Sequence, residues 1–145
     1  MSQDVLPSAP LNPPPSSSGQ EPLVVGLDLG GTKMAAALVD AGGTLQGPVS
    51  SCPTPAHDGP AAMLDAISGL IAKVVETGTH QEPGQAAAIT AVGIGTAGVV
   101  DVERGTILSA TDAITGWAGT QVAAGIQKRL AAQGLGELPI HVEND

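Results

Sequence analysis

The sequence predicts an α/β fold, with helices packed on a mixed sheet. The order of hydrophobic patterns carries this prediction: from Leu23 to Glu143 it reads strand, strand, strand, helix, strand, helix, strand. The first strands are joined by short glycine-containing connections, as in an antiparallel meander, whereas the later ones are separated by helical stretches. Composition agrees: 42% of residues are hydrophobic but only 1% aromatic, Trp117 being the lone aromatic, so the core must be packed with Val, Ile, Leu and Ala.

Residues Met1 to Pro22 differ in composition from the rest. They contain Pro7, Pro10, the run Pro13-Pro14-Pro15 and the run Ser16-Ser17-Ser18, with no hydrophobic period. Proline removes backbone donors and serine favours solvated backbone, so this leader is expected to be disordered with polyproline II character. The folded part is expected to start at Leu23. Leu23–Leu29 and Met34–Asp40 form the first two strands, Ala41-Gly42-Gly43 supplies a turn, and Thr44–Ser51 forms the third strand. Cys52 to Pro60 reads as a proline-broken loop.

The period then changes. Met63, Leu64, Ile67, Leu70, Ile71, Val74 and Val75 recur at helical spacing and predict a helix over Gly59–Thr77, with Asp58 as N-cap and Gly78 as its stop. A loop over Thr79–Gln85 leads to Ala86–Gly95, a continuously apolar strand suited to cover on both faces. Thr96–Ser109 is turn-rich, with short strands at Val99–Asp101 and Thr106–Leu108 around Glu103-Arg104-Gly105. Val122, Ile126 and Leu130 form the stripe of a second helix over Ala118–Gln133, and Pro139–Glu143 is a last strand that ends in Asn144-Asp145.

The chain has 145 residues and a formal net charge of −9, with 5 Lys and Arg against 14 Asp and Glu. Such a surface is unsuited to a nucleic-acid backbone, and no nucleic-acid partner is expected. The lone Cys52 excludes an intrachain disulfide and a cysteine-built zinc cluster within the chain. No apolar stretch approaches the roughly 20 residues of a membrane span, and no secretory signal is visible, so a cytoplasmic location without a membrane partner is expected. His57, His80 and His141 lack metal-ligand spacing and read as structural.

Two glycine motifs nearly match familiar nucleotide-binding patterns. Gly26 to Lys33 has the outline of a P-loop, but its last two residues are Thr32-Lys33, in reverse order, and a β-branched run follows where a helix should. Gly93-Ile94-Gly95-Thr96-Ala97-Gly98 fits the dinucleotide pattern GxGxxG, but Val99-Val100-Asp101-Val102 follows it where a helix should open. Glycine lacks Cβ, so Gly30 and Gly31 let the main chain approach a phosphate and take positive φ without strain. Taken alone, this stretch is also an ordinary hairpin with solvent-facing Asp28 and Lys33.

Together the motifs are more specific. Asp28-Leu29-Gly30-Gly31-Thr32, the Gly93–Asp101 stretch, Gly116-Trp117 and Glu143-Asn144-Asp145 resemble, in order and spacing, the N-terminal part of sugar kinases of the ROK family (repressors, open reading frames and kinases). The resemblance covers Leu23 to Asp145 and implies the N-terminal lobe of an actin-like ATPase (ribonuclease H-like) fold. It also implies ATP-dependent phosphorylation of a hexose or N-acetylhexosamine hydroxyl, of glucokinase type.

By the same resemblance, Asp28 lies at the metal–phosphate end of ATP and reaches Mg²⁺ through water. Gly30, Gly31, Thr32 and Lys33 serve the phosphates. Gly95 and Gly98 give the sugar room, Asn144 holds a sugar hydroxyl and Asp145 is the general base. Trp117 is expected to pack under the Gly95–Gly98 loop. From Asn144-Asp145 alone, a strand end entering a turn would be the plainer reading.

The chain departs from the family where many members read Pro-Asn-Leu before Pro-Gly-Trp. Here the segment is Ser109-Ala110-Thr111-Asp112-Ala113-Ile114-Thr115-Gly116-Trp117, which puts Ala113 at the asparagine position and leaves open whether Asp112 replaces it.

The family's second lobe supplies further sugar ligands, often a zinc site, and a second phosphate loop, none of which these residues contain. The chain is therefore expected to be the N-terminal fragment of a kinase, inactive by itself and poorly soluble because its last strand lacks a following helix; the longer form is expected to be a homo-oligomer. A sugar-binding repressor of the same family is the alternative, but 22 leader residues cannot hold its DNA-binding region. A nicotinamide-dependent enzyme rests on GxGxxG alone.

Overall fold

Strand alternation in Leu23–Leu29 (β1) buries Leu23, Val25, Leu27 and Leu29 and leaves Asp28 exposed on the opposite face. The computed structural model describes residues 22–81, 89–110, 113–136 and 138–144. The proline-rich leader up to residue 21, the second part of the expected Thr79–Gln85 loop, Asp112 and Asp145 lie outside the described residues.

Lys33–Asp40 (β2) returns antiparallel to β1, with Leu29 opposite Met34 and Leu23 opposite Asp40. Ser50–Pro53 (β3) completes the meander by pairing Cys52 with Met34. This third strand is shorter and later than Thr44–Ser51. The Asp40 carboxylate accepts from the amides of Gly42 (2.9 Å) and Thr44 (3.0 Å) and from Gln46 Nε2 (2.9 Å), which commits 41–46 to a broad turn. Of the expected strand, Leu45 retains an isolated bridge to Val39. Cys52, expected in a loop, is a half-buried free thiol within β3.

Pro60–Gln81 (α1) buries all of Met63, Leu64, Ile67, Leu70, Ile71, Val74 and Val75. The Met63 N–H closes the first turn on the Gly59 carbonyl at 3.2 Å, so Gly59, with φ +96°, is the cap in place of Asp58. Proline follows where an N–H would have no helical partner. Gly78 does not stop the helix. It is buried against the β2–β3 connection beside Pro48 and Ser50, and packing there outweighs the glycine's weak helix propensity.

Ile89–Thr96 (β4) and Ile140–Asn144 (β7) add to β1 in parallel, giving the sheet order β3-β2-β1-β4-β7. Val99–Asp101 (β5) and Thr106–Ser109 (β6) form the expected small antiparallel ribbon. Val122–Ala132 (α2) starts later than Ala118, because Gly119 takes φ +86° and Gln121 bridges to Thr106 before the helix can begin.

Both helices lie on the face of the sheet built by Val25, Leu27, Met34, Val92, Ile94 and Val142. They approach closely at Gly125, where an added Cβ would stand 2.6 Å from Leu64 Cδ1. An ion pair of 2.7 Å from Arg129 Nε to Asp65 Oδ1 also ties them together. β4 buries one face and leaves Ala91, Gly93 and Gly95 half-buried on the other, so its apolar run reflects small residues more than double cover. No helix among the described residues is long and apolar enough to cross a membrane.

Candidate functional site

The parallel strands β1, β4 and β7 all point their C-terminal ends at one edge of the sheet. In open α/β sheets that edge is where ligands are held. Register puts Asp28, Gly95 and Glu143 in one row, and Leu29, Thr96 and Asn144 in the next. Asp28 and Gly95, 67 positions apart, and Gly95 and Glu143, 48 apart, become neighbours through two ladders of backbone hydrogen bonds.

The β1–β2 hairpin turns at this edge. The Gly30 N–H donates to the Lys33 carbonyl at 3.1 Å. A Cβ on Gly30 would meet that same carbonyl oxygen at 2.6 Å, so close approach of backbone to backbone requires glycine there. Gly30 and Gly31 are not among the glycines with positive φ, so the expected left-handed conformation is not what they provide. The Gly30 amide is engaged within the hairpin, which leaves Gly31 and Thr32, both exposed, at its tip. Asp28 and Lys33 are also exposed on either side of it.

Thr54, which follows β3, holds the hairpin from outside. Its Oγ1 donates to the Gly30 carbonyl at 2.8 Å and its N–H to the Thr32 carbonyl at 2.9 Å. Nothing in the sequence marks this threonine beyond its place between Pro53 and Pro55.

The Gly95–Gly98 turn leads straight into β5, so no helix N-terminus stands behind it. That removes the structural basis of a dinucleotide fingerprint, and with it the nicotinamide alternative. Gly98 has φ +101°, and a Cβ there would meet the Ser109 carbonyl oxygen at 2.4 Å. Asn144 Nδ2 donates to the Gly98 carbonyl, which ties the end of β7 to this turn. An amide has two N–H groups and an acceptor oxygen, so one such bond leaves capacity for a ligand.

Trp117 is 1% exposed and packs under the turn, as expected. Its Nε1–H donates to Thr96 Oγ1 at 3.4 Å. Thr96 is itself buried, and no pattern in the sequence marks it.

The hairpin tip and the segment after β6 also meet. An added Cβ on Gly31 would lie 3.6 Å from Ala113 Cβ. Around this contact is a cavity of about 40 Å³ lined by Leu29, Ala97, Ala110, Ile114 and Trp117. Ala113, which the resemblance puts at the asparagine position, thus stands beside the Gly30–Lys33 hairpin. Of the sequence-predicted residues, Asp28, Gly30, Gly31, Thr32, Lys33, Gly95, Gly98 and Asn144 come to one edge. Asp145 follows Asn144 directly in the chain but lies outside the described residues. A larger cleft of about 620 Å³ lies between α1 and α2, lined by Pro60, Leu64, Gly125 and Lys128, and includes none of these residues.

No group of three or more His, Cys, Asp or Glu that could hold a metal occurs among the described residues. Asp28, an exposed carboxylate near the end of β1 with the exposed Glu143 in the same row, suits Mg²⁺, which keeps most of its waters and takes few protein carboxylates. His141 is exposed on β7, and His57 Nδ1 lies 3.1 Å from Thr115 Oγ1.

Comparison with known proteins gives the family and the fold. A glucokinase of Streptomyces coelicolor is 33% identical over 123 residues, 85% of this chain and 32% of that protein. The crystal structure of a ROK family glucokinase from Streptomyces griseus, in complex with glucose and AMPPNP, superposes with a TM-score of 0.60 at 31% identity, covering 84% of this chain and 33% of that one. A ROK hexokinase from Thermus thermophilus gives a TM-score of 0.61 at 28% identity, covering 84% and 35%. A ROK family transcriptional regulator shares the fold, at a TM-score of 0.64 and 20% identity. The chain thus spans about a third of the length of the curated relatives it matches. Its lobe is of the actin-like ATPase type, the ROK family profile matches residues 24–145, and the chain belongs to the ROK family.

Proposed function

We infer that this chain is the nucleotide-phosphate and sugar-presenting part of an ATP-dependent kinase acting on a hexose or N-acetylhexosamine. The observation that carries the reading is the shared edge. The Gly30–Lys33 hairpin, the Gly95–Gly98 turn and Asn144 converge there, and Asn144 is bonded to Gly98. The Streptomyces relatives support it, because one of them holds glucose and an ATP analogue.

Phosphoryl transfer depends mainly on positioning and on neutralising charge. Gly31 and Thr32 would bring backbone amides and a hydroxyl to the phosphates, and Lys33 would add positive charge. Asp28 would hold Mg²⁺ through water, and the bound ion would offset phosphate charge. Asn144 would orient a sugar hydroxyl, using the capacity left by its bond to Gly98. Asp145 would take the proton of that hydroxyl as its oxygen bonds to the γ-phosphorus and the bond to the ADP oxygen breaks. The regulator that shares the fold is 20% identical, whereas the glucokinase relatives reach 31% and 33%, which favours the kinase reading.

Trp117, the lone tryptophan, lies under the Gly95–Gly98 turn and serves as a fluorescence reporter. Titration with Mg²⁺–ATP, with glucose and with NAD⁺ is expected to give saturable responses to the first two. Saturable binding of NAD⁺ with no response to Mg²⁺–ATP by fluorescence or calorimetry would overturn the kinase reading.

A further inference from the structure

We propose that Thr54 is the positioning residue of the phosphate hairpin, an inference that rests on the kinase reading of that hairpin. A two-residue hairpin closes unaided when its tip adopts a primed turn, which needs φ > 0 at the first central residue. Gly31 occupies that position and is not among the positive-φ glycines. The tip also has few side chains with which to fix itself, since Gly30 and Gly31 have none.

Besides the Gly30–Lys33 bond, its restraint comes from Thr54, 24 residues further along the chain than Gly30. The Thr54 hydroxyl bonds the Gly30 carbonyl and its amide bonds the Thr32 carbonyl, so one residue grips both sides of Gly31. Thr54 is half-buried, which shields these bonds from competing water.

Thr54 is itself anchored. The Ala56 N–H donates to the Thr54 carbonyl at 2.8 Å, and the Ala56 carbonyl accepts from the Thr115 N–H at 2.7 Å. Thr115 lies two residues beyond Ala113, the residue that faces Gly31. Residues 54–56 therefore form a strap from the phosphate hairpin to the segment after β6. Thr54 touches no ligand in this scheme. It acts by holding carbonyls so that the Gly31 and Thr32 amides present one fixed geometry, and preorganised donors bind phosphate better than mobile ones.

The test uses Thr54→Val, which keeps the shape and the backbone N–H but removes the hydroxyl donor, with Thr54→Ser as rescue. Amide hydrogen exchange at Gly31, Thr32 and Lys33 should rise in the valine variant and return towards wild type in the serine variant. The dissociation constant for Mg²⁺–ATP should rise about 10-fold in Thr54→Val, while glucose binding changes less. Unchanged exchange at the hairpin tip would overturn the positioning role whatever the nucleotide result. Raised exchange in a protein whose wild type binds no Mg²⁺–ATP would retain the restraint but overturn the phosphate reading. A lower melting temperature with unaltered exchange and nucleotide affinity would mark Thr54 as merely structural.

Discussion

Asn144 donates its side-chain amide to the carbonyl of Gly98, joining the end of β7 to the turn after β4 across 46 residues of sequence. The bond is available because Gly98 has φ +101° and its missing Cβ leaves room beside the Ser109 carbonyl. Gly98→Ala should therefore destabilise the fold by about 2–3 kcal/mol, through left-handed strain and a backbone clash, and should displace the Asn144 partner. Urea denaturation checks the size of the loss. Stability within a few tenths of a kcal/mol of wild type would show that the turn tolerates a side chain.

Asp28 is exposed and makes no core contact, so Asp28→Asn should leave the melting temperature unchanged. Its effect should fall on Mg²⁺–ATP, with affinity lowered about 10-fold or more and the response to Mg²⁺ concentration weakened. Calorimetry at several Mg²⁺ concentrations measures both. Equal affinity for wild type and variant would remove Asp28 from the phosphate end of the site.

In protein that turns over hexose with ATP, Asp145→Asn should lower kcat by about 10²–10⁴-fold and leave sugar binding largely intact. Coupled ADP-release kinetics with a separate sugar titration divides the two effects. Loss of sugar affinity at near-normal kcat would make Asp145 a binding residue in place of a base.

Asp40 links stability to pH. The Thr44 amide, foremost, and the Gly42 amide and Gln46 side chain bond its carboxylate and hold its pKa below the usual aspartate value. A lowered folded-state pKa favours the ionised form on folding. The contribution is therefore present in full above the unfolded value of about 3.9 and is lost as pH falls through the lower folded value. Asp40→Asn should flatten the acid limb of a stability-against-pH curve below about pH 4. An unaltered limb would show that the β2–β3 turn does not depend on the charge.

Much of this lobe was legible because its signals are local. Alternation in Leu23–Leu29 and the 3.6-residue stripe from Met63 to Val75 each require one buried face, and both were found buried as expected. Errors fell where a distant or polar contact overrode local preference. Asp40 captured the amides that Thr44–Ser51 needed to begin as a strand, and packing against Pro48 and Ser50 carried α1 through Gly78. Thr54 carries no signal in the sequence, because a threonine between prolines has no period and no motif. Its partners, Gly30 and Thr32, are near only after β2 and β3 have paired.

From the residues alone came the element order, the composition of the core and the kinship carried by the glycine and Asn-Asp motifs, because pattern and motif are properties of neighbours in the chain. Tertiary structure decided that Asp28, Gly95 and Glu143 share a row, that Asn144 closes on Gly98 and that Thr54 grips the hairpin. Those relations depend on the register between strands far apart in sequence. One-residue changes in that register would turn Asp28, Glu143 and Asn144 to the opposite face.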